Sequence, residues 1–168
     1  MEQYIAGYES MTAHELSRYL TKEFHTKIRQ AFGAALTQLG ASLHIEKVNG
    51  EAKAIYGLVK GLCAFFTEHA GKEERLLFPL VADTGQSYKA SATTYETESF
   101  VDDLKEEHYA LGEGFMNLRR LTNNYNCNTS ASPSRKLAFG HLNGIEQNIK
   151  QDIFIEEEYL FPRILRIK

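Results

Sequence analysis

Two stretches of the chain, HAGKEERLLFP at residues 69–79 and DIFIEEEYLFP at residues 152–162, share one frame. They agree at Glu73 and Glu156, Glu74 and Glu157, Leu77 and Leu160, Phe78 and Phe161, and Pro79 and Pro162. The frame opens on His69 in one copy and on Asp152 in the other. Side chains four apart on a helix lie one above the other, so each copy presents a metal-capable donor one turn ahead of a glutamate. Imidazole suits iron and zinc, and carboxylate suits harder ions such as manganese. A glutamate also has two oxygens, enough to bridge a pair of ions. Two more histidines follow similar lead-ins, KEFH at 22–25 and KEEH at 105–108.

The spacings repeat. His25 to His69 is 44 residues, as is His108 to Asp152; His25 to His108, His69 to Asp152 and Glu73 to Glu156 are each 83. The chain therefore reads as two helical hairpins, each giving one histidine and then a His or Asp with a Glu one turn later. Pseudo-twofold packing sets the two glutamates across a shared centre, as a dinuclear site with bridging carboxylates and terminal histidines requires. A lone buried histidine is more often a satisfied core residue than a ligand. Six such groups in register, repeated at a fixed offset, favour metal. The candidate ligands are His25, His69, Glu73, His108, Asp152 and Glu156.

Four helices must position them. The first is predicted from about Thr12, where Thr12 and Glu15 form a capping box, to Leu39, with Gly40 as its stop. The second runs from NGEAK to about Ala82. The third spans about Ser99 to Asn123. The fourth starts at Ser132–Pro133, a cap and first-turn proline, and runs close to the C-terminus. Residues 84–98 and 123–134 read as loops. Apolar residues recur at helical spacing: Ile28, Phe32, Leu36 and Leu39 on the first helix; Ile55, Leu58, Leu62, Phe65, Phe66, Leu76, Leu77 and Leu80 on the second; Val101, Leu104, Leu111, Phe115 and Leu118 on the third; Leu142, Ile145, Ile149, Ile155, Tyr159 and Leu160 on the fourth. The six candidate ligands fall on these inward stripes. His25 and His108 each stand about 15 residues before a helix end, and His69 and Asp152 each about 19 after a helix start, so in an antiparallel up-down bundle all lie in one layer. Buried without partners they would cost several kcal/mol. The expectation is an all-α, antiparallel four-helix bundle of two pseudo-twofold hairpins, in one domain spanning residues 1–168.

Composition narrows the partners. A net charge of −3 and a pI near 6.1 leave no basic footprint for nucleic acid. No apolar run is long enough to span a bilayer, and the N-terminus lacks a basic start followed by an apolar stretch. Cys63 and Cys127 are the only cysteines, too few for a disulfide framework, which fits a reducing, cytoplasmic setting.

His25, HAGKEERLLFP, EEH at 106–108, LTNNYN at 121–126 and IEEEYLFPR at 155–163 together make the chain resemble hemerythrin-like proteins, above all the iron-sulfur cluster repair di-iron proteins. The resemblance covers nearly the whole chain. It implies a non-haem centre of two iron ions, with manganese or zinc as substitutes, held by His25, His69, Glu73, His108 and Glu156, the glutamates bridging. Asp152 stands where that family usually has a histidine. As a ligand it would set three carboxylates against the four positive charges of two iron(II) ions, favouring the oxidised metal or admitting manganese. The cysteine-bearing N-terminal domain common in the repair proteins is not seen. His44 matches another histidine of some members, but it lies about 28 Å of helix rise beyond His25 and is left outside the ligand set. The implied role is stress response: handling iron, oxygen or nitric oxide, with iron-sulfur proteins as partners. The alternative is an oxygen or nitric oxide carrier or sensor that does not turn over. Whether the chain is an enzyme stays open.

Overall fold

The computed structural model describes residues 7–45, 50–81 and 94–166, save the side chain of Thr94. Every regular element among them is helical, as the sequence patterning predicts. Helix α1 covers residues 13–45 in three pieces, Ala13–Leu20, a π-turn at Thr21–His25, and Thr26–Ile45. Helix α2 runs through Gly50–Lys72, a π-turn at Glu73–Leu77 and a 3₁₀ turn at Phe78–Val81. Helix α3 is Thr94–Leu121, without interruption. Helix α4 comprises Pro133–Ile155, a π-turn at Glu156–Leu160, and Phe161–Ile164.

The helix starts obey local chemistry. The Thr12 hydroxyl accepts from the Glu15 N–H at 3.2 Å, and the Glu15 carboxylate accepts from the Thr12 N–H at 2.8 Å, so two backbone or near-backbone donors are satisfied reciprocally. The Ser132 hydroxyl accepts from the Arg135 N–H at 3.2 Å, with Pro133 at the first helical position. Two predicted boundaries move. Helix α1 passes Gly40 and continues to Ile45, because Gly40 stands in a run of good helix formers and tertiary packing covers its small penalty. Helix α3 begins at Thr94, so residues 94–98 are helical, not loop. Ala82, the predicted end of the second helix, lies outside the described residues.

Helix α1 packs most extensively on α4, α2 on α3, and α1 also on α2. The core fills the space between them, with Phe32 beside Phe66 and Phe115 at ring separations of 6.2 and 6.4 Å. All five predicted core residues of α3 are buried. On α2 the inward line is Ile55, Val59, Leu62, Phe66 and Leu77; Phe65 and Leu76, expected inside, are 39% and 56% exposed. An apolar pair such as Phe65–Phe66 or Leu76–Leu77 fits the helical period in either register, so sequence alone does not choose between them.

The α3–α4 connection carries an unexpected polar lock. Asn123, Asn124 and Tyr125 all adopt positive φ, at 46°, 56° and 59°, a conformation costly for side-chain-bearing residues. Tyr125 donates to Glu146 at 2.6 Å, and that buried carboxylate also meets Lys150 at 2.6 Å and Arg119 at 3.3 Å. Burial opposes the charge on Glu146, but these neighbours outweigh it and hold its pKa below the ordinary value.

Candidate metal centre

The six predicted residues converge. His25, Glu73 and Glu156 are 0% exposed, Asp152 and His69 3%, and His108 4%. They come from all four helices at one level. His25 ends the π-turn of α1, and Glu73 and Glu156 each begin one. In these turns the bonds are one residue longer than in an α-helix, as Phe78 N–H to Glu73 O and Phe161 N–H to Glu156 O show. A wider turn makes successive side chains diverge less, so Glu73 and Glu74, and likewise Glu156 and Glu157, both reach inward. Such turns gather at functional sites.

Each glutamate spans two sides of the centre. Glu73 approaches His69 Nε2 through Oε1 at 3.6 Å and His25 Nε2 through Oε2 at 3.4 Å. Glu156 approaches His25 Nε2 through Oε1 at 3.6 Å and His108 Nε2 through Oε2 at 3.2 Å. Asp152 Oδ2 lies 3.6 Å from His25 Nε2. Two donor groups result: His69, Glu73, His108 and Glu156 in one, and His25, Asp152 and Glu156 in the other, each with all its donor atoms within 4.8 Å of one another. Glu73 Oε2 reaches the second group through its contact with His25.

The outer nitrogens of the imidazoles are committed elsewhere. His25 Nδ1 donates to Glu74 at 2.9 Å, His69 Nδ1 to Glu107 at 2.8 Å and His108 Nδ1 to Glu157 at 2.7 Å. An ionised carboxylate only accepts, so Nδ1 carries a proton and Nε2 is the nitrogen turned to the interior. This carboxylate–histidine pairing orients and strengthens a metal-binding imidazole. Glu74 is itself held by Arg29 at 2.8 Å, and Glu107 by Lys72. Burial opposes the ionisation of Glu74, but its bonds to His25 and Arg29 bring its pKa down to about 2. The Phe residues of the two LFP triplets pack on the rings: Phe78 stacks on His25 at 5.7 Å and Phe161 on His108 at 5.8 Å.

The interior is unsatisfied by protein alone. Both oxygens of Glu73 and of Glu156, Oδ1 of Asp152 and Nε2 of His25 are buried without a hydrogen-bond partner. His69 Nε2 and His108 Nε2 face each other at 3.1 Å, close enough to share one proton or to hold one cation between them. Two nitrogens bound to one ion at about 2.1 Å stand about 3.0–3.4 Å apart, which matches. Burial and the charge of Glu156 drive the Glu73 and Asp152 pKa values well up. Burial works against a charged His25, yet Glu156, Glu74, Asp152 and Glu73 raise its pKa overall. These groups fit divalent cations: negative charge concentrated in a dry space, with lone pairs aimed inward.

The remaining histidines lie away from this set. His44 and His141 are exposed, and His14 is half-buried on α1. The repeat spacing does not single out Glu107 as a histidine partner, nor Glu74 and Glu157 as the residues that hold His25 and His108. The available signal was adjacency, since each stands beside a candidate ligand. Glu146 was missed altogether.

An all-helical bundle with paired His/Glu donor groups at mid-height defines a hemerythrin-like, cation-binding class of protein. The family described as hemerythrin HHE cation binding domain matches residues 17–164, and the chain belongs to that family. It is similar to the iron-sulfur cluster repair protein YtfE of Yersinia pseudotuberculosis serotype IB (strain PB1/+), 29% identical over 126 residues, 73% of this chain and 53% of that protein. It is also similar to the protein of the same name from Pectobacterium atrosepticum, 26% identical over 156 residues, 90% of this chain and 66% of that protein. The chain thus spans about half to two thirds of the length of these relatives. No helix among the described residues is long and apolar enough to cross a membrane.

Proposed function

We propose that the chain is a non-haem di-iron protein acting in iron-sulfur cluster repair or in the response to nitrosative and oxidative stress, through redox chemistry or iron donation at a carboxylate-bridged centre. Iron-sulfur proteins are its partners and oxygen or nitric oxide its small ligands, in the cytoplasm and from a single domain. The observation that carries this is the cluster of buried donor atoms without a partner, both oxygens of Glu73 and of Glu156, Oδ1 of Asp152 and Nε2 of His25, beside the facing Nε2 atoms of His69 and His108. The names of the relatives support the biological setting.

His25, His69, His108 and Asp152 would hold the ions from the sides, with Glu73 and Glu156 bridging. Bound iron would supply one-electron chemistry and an attachment point for a small ligand. The protein's own part is positional. Glu74, Glu107 and Glu157 keep the imidazole protons on Nδ1, and Phe78 and Phe161 fix two rings and exclude water on their faces. Glu73 and Asp152, pushed towards the neutral acid by burial and by the charge of Glu156, take up protons when cations leave and surrender them when cations enter. The test is metal analysis of protein purified without chelator, with optical spectra before and after reduction. Two irons per chain and a redox-sensitive spectrum are expected. A metal-free, spectrally silent protein that takes up no iron on reconstitution would overturn the reading.

A further inference from the structure

The 83-residue repeat holds at more positions than the ligands. His25 corresponds to His108, Glu74 to Glu157, and Phe78 to Phe161, and each pair makes the same contact in its own half: carboxylate to Nδ1, aromatic ring against imidazole. Among the donors and the residues that hold their Nδ1 atoms, the repeat fails at two linked places. Where one half has His69, the other has Asp152. Where one half has Glu107, which accepts the His69 Nδ1 proton, the other has Phe24. Phe24 is buried and packs edge-on against Tyr19 at 5.9 Å. An aspartate has no N–H to donate, so a carboxylate at residue 24 would have nothing to accept and would add charge to an already anionic centre. The two departures are linked chemically: the half whose donor is a carboxylate lacks the residue that would serve a histidine.

The outcome is two unequal subsites that share Glu73 and Glu156. One adds two imidazoles, the His69 ring made more basic by Glu107 and the His108 ring by Glu157. The other adds one imidazole and the Asp152 carboxylate, whose Oδ1 is buried without a partner. Nitrogen-rich sets favour iron(II) and zinc over manganese(II), and oxygen-rich sets narrow that preference. Resting on the paired-ion reading, we infer that the subsites discriminate between metals: manganese(II) competes for the His25–Asp152 position far better than for the His69–His108 position, so the chain is built to accept a mixed pair.

The test loads metal-free protein, without oxygen, with equal iron(II) and manganese(II). Total metal is measured first, and then the occupancy of each subsite by anomalous diffraction at the iron and manganese absorption edges. The manganese-to-iron ratio at the His25–Asp152 position should exceed that at the other by about threefold or more. Asp152→His should bring the two ratios together, and His69→Asp should raise the manganese share at the first subsite. Two ions per chain with equal ratios in the unaltered protein, or manganese concentrated beside His69, would overturn this inference alone. Fewer than two ions per chain would overturn the paired-ion reading with it.

Discussion

The two halves of the centre share a frame and differ in what they ask of it. Around His69 and His108, every imidazole has a carboxylate behind it and a glutamate in front. Around His25 and Asp152, one imidazole keeps that support through Glu74, while the opposite corner has a carboxylate in front and the aromatic Phe24 at the support position of the repeat. The difference follows the geometry: the residues that face both sides, Glu73 and Glu156, are alike, whereas a terminal position that faces one side differs together with the residue behind it.

Breaking the shared element should have the largest effect. Glu73→Ala and Glu156→Ala each remove one oxygen from both subsites. Metal content should collapse, and with it the stabilisation on adding metal, about 4 kcal/mol when free metal is a thousandfold above its dissociation constant. Metal analysis and thermal unfolding with and without iron check this, and unchanged iron in both variants would exclude bridging. Next come the supporting residues. Glu107→Ala should weaken the His69 subsite about 10- to 100-fold and leave the other nearly intact, while Glu74→Ala should do the reverse; stepwise metal titration separates the two. A smaller change is expected with pH. The raised pKa values of Glu73 and Asp152 mean that the metal-free centre retains protons there. Metal entry displaces them, so proton release should accompany uptake and affinity should fall as pH is lowered; calorimetry in buffers of different ionisation heat measures the protons. Smallest, and away from the centre, Tyr125→Phe removes one hydrogen bond to Glu146. It should cost about 1 kcal/mol of stability and leave metal content unchanged, confirming that the α3–α4 lock is independent of the site.

The fold was legible because its signal is periodic. Long apolar stripes on four segments and clean starts at Thr12 and Ser132 specify a bundle before any coordinates exist. The ligands were legible because they interrupt those stripes with buried polar groups, and because a constant 83-residue offset ties them together. What stayed hidden depends on small rotations. Whether Phe65 or Phe66 faces inward turns on a fraction of a helical turn. The π-turns at His25, Glu73 and Glu156 have no strong sequence mark, and without them Glu74 and Glu157 look like solvent-facing neighbours. Glu107 was hidden for the related reason that a residue adjacent to an inward histidine is expected to point away. Glu146 was hidden because its phenolic partner Tyr125 comes from a turn of unusual backbone conformation and Arg119 from the neighbouring helix, neither at a spacing that sequence marks.

Those widened turns also set a rule about length. Each holds one residue more than an ordinary coil needs. Deleting Arg75 or Leu76 would let α2 close into regular winding with the helix beyond it in nearly its present phase, but Glu73 and Glu74 would then stand the full ~100° apart, and Glu74 would leave the His25 nitrogen it holds. The bundle can therefore exchange side chains freely on its outer faces, yet at three short places along the chain it must keep count.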